Sequence, residues 1–288
     1  MCRAVRRMTE LWVEPSSTGR SRADHVCWPF RHHDELVAVA RGYVAEGLAR
    51  HERVVGYLPE EHLPDMEEQL AGLERLDEYV ERGQLQLQAT GAIARMDQPV
   101  DPPQGLSRLT TMIGESLDAG FTGLRMFGDM TMQMADPARR AEFVHYEHLA
   151  DRFCLDHAYT ALCAYDRRVL GDATVAEVAC VHPVAHGGLS PFQLSATGPT
   201  DVALAGSVDT FSAAHLTTAL QRIGVPEPGK VLTIDTVALE FIDHRALLSL
   251  DQYATGRQGT VVLVSVPSIV QRLMELLPLG AVRLEEAL

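Results

Sequence analysis

Residues 232–250 read LTIDTVALEFIDHRALLSL. With Val231 ahead of it, the run to Asp235 is apolar and partly β-branched, the composition of a buried strand. A short loop leads to the apolar pair Phe241-Ile242. From Asp243 onward, Ala246, Leu247, Leu250 and Tyr253 recur at the spacing of one helix face. Asp243 stands at the N-cap position, where its carboxylate accepts amide hydrogens left free in the first helical turn. Strand, loop and helix in this order expose the first helical turn, a place for a partner, an anion or a phosphoryl group.

The same alternation extends outward. Downstream, 260–265 reads as a strand and 267–276 as a helix; upstream, 192–197 and 202–205 read as strands, followed by the turn Gly206-Ser207-Val208-Asp209 and a helix over 211–223. Residues 184–191 combine Pro, Gly and Ser and read as a linker. Before it lies a second block, 24–183, with strands near 24–30, 53–58, 84–88, 124–130 and 158–165. Helical stripes fall between them, among them Val37, Ala40, Tyr43, Val44 and Leu48, and a helix from Pro137 through Phe143, Tyr146, Leu149 and Phe153. Residues 89–103 read as a loop and 1–23 as a flexible tail. A chain of 288 residues accommodates two domains. Strands alternating with helices make both α/β, the first with a largely parallel sheet.

The formal net charge of −14, from 25 basic and 39 acidic residues, argues against a nucleic-acid surface. Five cysteines without CxxC spacing fit a reducing compartment. No run of 18 apolar residues marks a membrane span, and the amino terminus lacks the apolar core of a secretory signal. The expectation is a soluble, cytoplasmic protein.

The run from Asp235 to Asp243, with Phe241-Ile242-Asp243 at its end, resembles the signature of STAS domains of the anti-anti-sigma factor type, D-x-S-x-V-x-F-I-D. The turn from Gly206 to Asp209 matches that family's turn before its first helix. The resemblance covers 192–288. It implies a docking face for an anti-sigma factor or serine-kinase-type partner, centred on Ser207, Asp209, Asp243, His244 and Arg245. In the family a serine that accepts phosphate follows the Asp; His244 stands there, so the resemblance implies binding without a phospho-switch.

The block 24–183 resembles the MEDS sensory domain. The likeness is carried by Asp24-His25-Val26-Cys27, by Glu46-Gly47-Leu48 with Glu52-Arg53 (His51 standing where the pattern has Gly), and by Arg125 with Gly128-Asp129-Met130. Tyr146-Glu147, Cys163-Ala164-Tyr165-Asp166 and His182-Pro183 complete it. The resemblance implies a fold similar to RecA/KaiC-type domains and sensing of small molecules such as hydrocarbon derivatives.

The residues themselves limit the chemistry. A phosphate-binding loop needs glycines and a Lys-Ser/Thr pair; the first strand leads instead to Phe30-Arg31-His32-His33-Asp34, so no P-loop is present. No nucleophile elbow appears either. His25 and Cys27 share one strand face, as do Cys163 and Tyr165. His145 and His148 are neighbours on a helix and read as a solvated face. No tight metal-ligand spacing occurs, so no metal and no cofactor are expected. A pocket beyond the carboxyl ends of the strands is the favoured site, with His25, Cys27, Arg125, Asp129, Glu147, Tyr165 and His182 as ligand-binding candidates. Arg125 paired with Glu147 or Asp129 is the structural alternative.

These readings converge on a non-enzymatic signalling regulator in which the first domain senses a small molecule or partner and controls partner binding by the second. A homodimer is compatible with them. The alternatives are a haem- or metal-dependent redox sensor or enzyme in the first domain, and a structural dimerisation module.

Overall fold

The computed structural model describes residues 25–92, 98–224 and 229–285; the expected tail 1–23 lies outside them. The first six strands are β1 (His25–Phe30), β2 (Arg53–Leu58), β3 (Leu85–Ala89), β4 (Leu124–Asp129), β5 (Tyr159–Asp166) and β6 (Val184–Ala185). They form one sheet in the order β3-β2-β4-β5-β1-β6, every pair parallel. Parallel neighbours need crossovers, which the helices provide. These are α1 (His33–Ala49), α2 (Leu63–Leu70), α3 (Leu76–Glu81), α4 (Pro102–Asp118), α5 (Thr131–Ala135), α6 (Pro137–Asp156), α7 (Arg167–Leu170) and α8 (Asp172–Ala179).

The second sheet contains β7 (Phe192–Ala196), β8 (Val202–Val208), β9 (Val231–Asp235), β10 (Leu239–Ile242), β11 (Thr260–Val264) and β12 (Val282–Leu284). Its order is β10-β8-β9-β11-β12, with β7 antiparallel to β8 and the remaining pairs parallel. Helices α9 (Ala213–Ile223), α10 (His244–Gly256) and α11 (Ser268–Glu275) pack with it. The fold class is α/β, with a six-stranded parallel sheet and a second sheet.

Local chemistry sets several boundaries. Asp243 caps α10 as its position implies: Oδ1 accepts from the Ala246 amide at 2.8 Å. Helix α4 starts earlier than its apolar stripe, at Pro102, because Asp101 accepts from the Gln104 amide at 3.0 Å and proline suits the first helical position. The expected linker is ordered at its start: Val184 and Ala185 pair with Val26 and Cys27 as the last strand of the first sheet. Helix α3 and strand β12 lacked a clear periodic signal.

The two faces of the first sheet have separate cores. On one, Phe30, Val54, Leu58, Phe127, Leu162 and Ala164 pack against Leu36, Val37, Ala40 and Val44 of α1 and Met66 and Leu70 of α2. On the other, Cys27, Val55, Tyr57, Met126, Ala161, Cys163 and Tyr165 meet Leu109 and Ile113 of α4 and Phe143, Val144 and Cys154 of α6. That second core continues into Phe192, Leu194, Leu204, Leu216, Leu247 and Leu250 around the second sheet. Helix α6 lies between, touching β1 and β5 on one side and β7 and α9 on the other.

Polar bonds tie the blocks together as well. The Leu194 amide donates to the Cys180 carbonyl at 2.6 Å, Arg222 pairs with Glu177 at 2.6 Å, and His145 Nδ1 donates to the Ile223 carbonyl at 3.0 Å. The expectation that His145 and His148 face solvent is corrected: His148 is 1 % exposed, because α6 is covered from both sides.

Candidate functional site

Strands β1 and β5 run side by side in a register that sets Cys27 opposite Cys163 and His25 opposite Ala161. Alternation then turns His25, Cys27 and Cys163 to the face covered by α6. Glu147 descends from the middle of α6, and His182 arrives from the turn after α8. His25, Glu147, Cys163 and His182 meet there, all buried. Glu147 Oε2 lies at the centre: 3.0 Å from His25 Nε2, 3.4 Å from His182 Nε2 and 3.4 Å from Cys163 Sγ. Cys163 Sγ is 3.6 Å from His25 Nε2, and the two imidazole rings lie 4.0 Å apart, centre to centre.

Behind the cluster, a backbone carbonyl orients the His182 ring and a carboxylate stands near the His25 ring. His182 Nδ1 donates to the Val178 carbonyl at 2.9 Å, which leaves Nε2 facing the cluster. His25 Nδ1 faces Asp151 Oδ1 at 3.7 Å. The other carboxylate oxygen of Asp151 accepts from the Ala196 amide, on β7 of the second sheet, at 2.6 Å. Tyr165 sets its ring edge-on to His182, with centroids 6.3 Å apart.

Burial and charge act in opposition here. Burial favours neutral His25, but the carboxylates of Asp151 and Glu147 outweigh it and raise its pKa to about 9. Burial would raise Glu147, yet His182 and His25 hold it well below the usual carboxylate range. His182 is lowered by burial and by neighbouring His25. Burial pushes the thiols of Cys27 and Cys163 well up, and Glu147 adds to that. The resulting state is a buried His25–Glu147 ion pair beside neutral His182 and protonated thiols.

A pocket with about 140 Å³ of interior space open to water-sized molecules reaches this cluster. His25, Glu147 and Cys163 form its floor; Leu109, Met112, Met126, Phe143 and Tyr159 line its sides; Gln98, Asp101, Gln104, Arg108 and Arg139 stand around the rest. Apolar walls around a few convergent polar groups are the usual make-up of a small-molecule site.

Of the seven ligand candidates, five surround this one place: His25, Cys27, Glu147, Tyr165 and His182. Arg125 does not. It lies on the opposite sheet face, paired with Glu52 and, at 3.4 Å, with Glu46, its guanidinium 4.4 Å from the centre of the Tyr43 ring. The expected pairing of Arg125 with Glu147 or Asp129 is therefore corrected: Arg125 projects to the sheet face opposite Glu147, and Asp129, which alternation puts on the same side as Arg125, stands four residues further along β4, out of reach. Gly47 is part of this arrangement, since a Cβ there would sit 2.6 Å from Arg125 Cδ. Asp129 ends β4 and accepts from the Thr131 amide at 3.0 Å; burial raises its carboxyl.

The pocket reaches the carboxyl end of β4, where Gly128, Met130 and Gln133 line it, and runs from there along the sheet face to His25 at the start of β1. Beside it, Thr131 Oγ1 accepts from the Asp166 amide at 2.9 Å and the Met130 amide donates to the Ala164 carbonyl at 2.9 Å, tying the ends of β4 and β5 together. Cys163 was not among the seven. Its shared strand face with Tyr165 was readable, but the register placing it beside β1 was not.

The second expected site remains solvent-facing. Asp209 Oδ1 accepts from the Phe211 and Ser212 amides at 3.0 and 2.9 Å, while Thr210 Oγ1 donates to Asp243 at 2.5 Å. Ser207 Oγ lies 3.5 Å from Glu240. His244 and Arg245 are exposed at the start of α10. Phe211 is 93 % and Phe241 52 % exposed nearby in sequence, so the turn offers aromatic as well as charged groups.

Fold and pocket together define an α/β protein whose parallel sheet receives a small molecule-sized cavity on one face. The family model described as MEDS, MEthanogen/methylotroph, DcmR Sensory domain, matches residues 24–183, and the chain belongs to this family. Membership points to a signalling or sensory role. No curated protein matches the chain. Among the described residues, no helix is long and apolar enough to cross a membrane.

Proposed function

We propose that the chain is a non-enzymatic signalling regulator in which the pocket over His25, Glu147 and Cys163 senses a small, largely apolar molecule. In this reading block 192–288 is a STAS-type output module that binds an anti-sigma factor or a related serine kinase. The observation that carries it is the position of the pocket floor: His25 faces Asp151, and Asp151 holds the Ala196 amide of the second sheet. A ligand that displaces His25 or Glu147 thereby acts on the edge of the output block through one carboxylate. The output surface is the exposed turn with Asp209, Phe211, Phe241, Asp243, His244 and Arg245. With His244 in place of the serine, regulation passes through the pocket and not through phosphate on that residue.

The test is capture of partners by the purified full chain, compared with its Phe241→Asp variant, followed by incubation with the captured kinase and ATP. The wild-type chain is expected to recover a kinase-fold protein that the variant loses, with no stoichiometric label at His244. Equal recovery by both chains, or none by either, overturns the output assignment.

A further inference from the structure

We propose that His25, Glu147, Cys163 and His182 bind one divalent transition-metal ion of the zinc class, with the pocket giving access to one side of it. The four donor atoms lie within 4.8 Å of one another. Four of their separations are 3.0, 3.4, 3.4 and 3.6 Å. With metal–N and metal–O bonds of about 2.0–2.2 Å and a metal–S bond of about 2.3 Å, the edges of a tetrahedron run about 3.3–3.7 Å. The donors thus stand close to coordinating positions before any ion enters.

Three further features agree with this assignment. His182 is 0 % exposed and its Nε2, turned toward Glu147, has no hydrogen-bond partner among the described residues. A metal ion gives that buried lone pair a partner, where leaving it without one is costly. The outer nitrogen of His182 donates to the Val178 carbonyl, which is how a ligating imidazole is held in one tautomer and one orientation, while that of His25 stands 3.7 Å from Asp151 Oδ1. The charges also match. Cys163 binds as the thiolate and His25 gives up the proton it holds in its pair with Glu147, so two protons leave to solvent; thiolate and Glu147 carboxylate then neutralise a dication in a buried site, and both histidines bind as neutral rings. A mixed nitrogen, oxygen and sulfur set suits zinc, and also cobalt(II) or iron(II).

Metal binding stands independently of the sensor reading. The idea that a pocket ligand touches the metal rests on it. His25, Glu147 and Cys163 all line the pocket, so a donor atom of an entering molecule can approach the ion directly.

The experiment uses the full chain, stripped with a chelator and titrated with cobalt(II) chloride and separately with zinc chloride. One equivalent is expected per chain, with thiolate-to-cobalt charge-transfer absorption in the cobalt form. Cys163→Ser is expected to lose that absorption while remaining folded by circular dichroism. His182→Ala is expected to bind the metal at least about 10–100-fold more weakly, a loss at least as large as that from removing an outer partner. Cys180→Ala, which removes a buried thiol that belongs neither to the cluster nor to the pocket lining, is expected to keep both stoichiometry and absorption. A wild-type chain that takes up no metal, or a folded Cys163→Ser chain that keeps the charge-transfer band, overturns the assignment. Sodium azide then probes access: a shifted cobalt spectrum supports the open side. An unchanged spectrum with full stoichiometry removes the contact between metal and pocket ligand and leaves the metal site standing.

Discussion

The two faces of the first sheet handle buried charge in different ways. Toward α1, Arg125 has Glu52 and Glu46 as carboxylate partners and lies over Tyr43, whose hydroxyl in turn donates to Thr160 at 3.2 Å. Toward α6, Glu147 serves three neighbours with one oxygen, His182 Nε2 lacks a hydrogen bond among the described residues, and a pocket opens beside them. The contrast teaches how to read buried polar residues in a family motif. A charge matched on all sides holds elements together. A cluster with a spare lone pair and a cavity is ready for something that is not protein.

The contrast can be broken first at Arg125. Arg125→Ala leaves two half-buried carboxylates without their cation, and the loss of stability by urea unfolding is expected to be about 2–4 kcal/mol, below the full value for a buried pair because the glutamates reach solvent. Metal uptake by the folded fraction is expected to stay at the wild-type level. A folded, stable Arg125→Ala chain that no longer binds metal would erase the distinction between the faces.

Glu147→Gln sharpens the other side. It keeps the shape but removes the charge that His25 and His182 face, at an expected cost of about 1–3 kcal/mol in the same unfolding measurement, with loss of cobalt binding.

The second block is probed at Asp243. Burial would raise its carboxyl, but the Thr210 hydroxyl and the Ala246 amide outweigh that and hold it low. Asp243→Ala is expected to cost about 1 kcal/mol at pH 7. A depressed folded-state pKa gives stability that is present above the unfolded value and disappears on acidification. The gap between wild type and variant is therefore expected to shrink below about pH 4, as protonation removes the charged cap from the wild type. Unfolding curves at pH 7 and pH 3 read this directly.

The smallest effect is expected at His51. Its φ of 61° lies in the left-handed region where the family pattern has Gly. His51→Gly is expected to raise stability by about 0.5–1 kcal/mol, net of its ring contact with Phe121, 5.5 Å between centroids, seen as a higher melting temperature.

Much of this molecule was readable along the chain, unevenly. The strand from Val231 to Asp235, the cap at Asp243 and the stripe of α10 follow from local rules, and the structure keeps all three. The amphipathic pattern of α1 was equally clear. Helix α6 was not: its buried residues include Phe143 and Leu149 but also Glu147, His148 and Asp151, so hydropathy says little about which way it faces. A helix packed between two sheets buries more than one side, and its polar residues then answer to each other and not to water. Among the site residues, His25 and Cys27 could be assigned a common face from alternation alone. That Arg125 and Cys163 lie on opposite faces could not, because it depends on the phase of each strand within the sheet.

The sequence by itself determined the α/β class, the unit around residues 232–250 and membership of the sensory family, since periodicity and ordered motifs act over a few residues at a time. Tertiary structure alone decided that His25, Glu147, Cys163 and His182 meet under a pocket, and that Arg125 stands apart from them. The physical reason is distance along the chain. His25 and Glu147 are 122 residues apart, and only strand register and the rotation of α6 between two sheets bring their side chains to 3.0 Å.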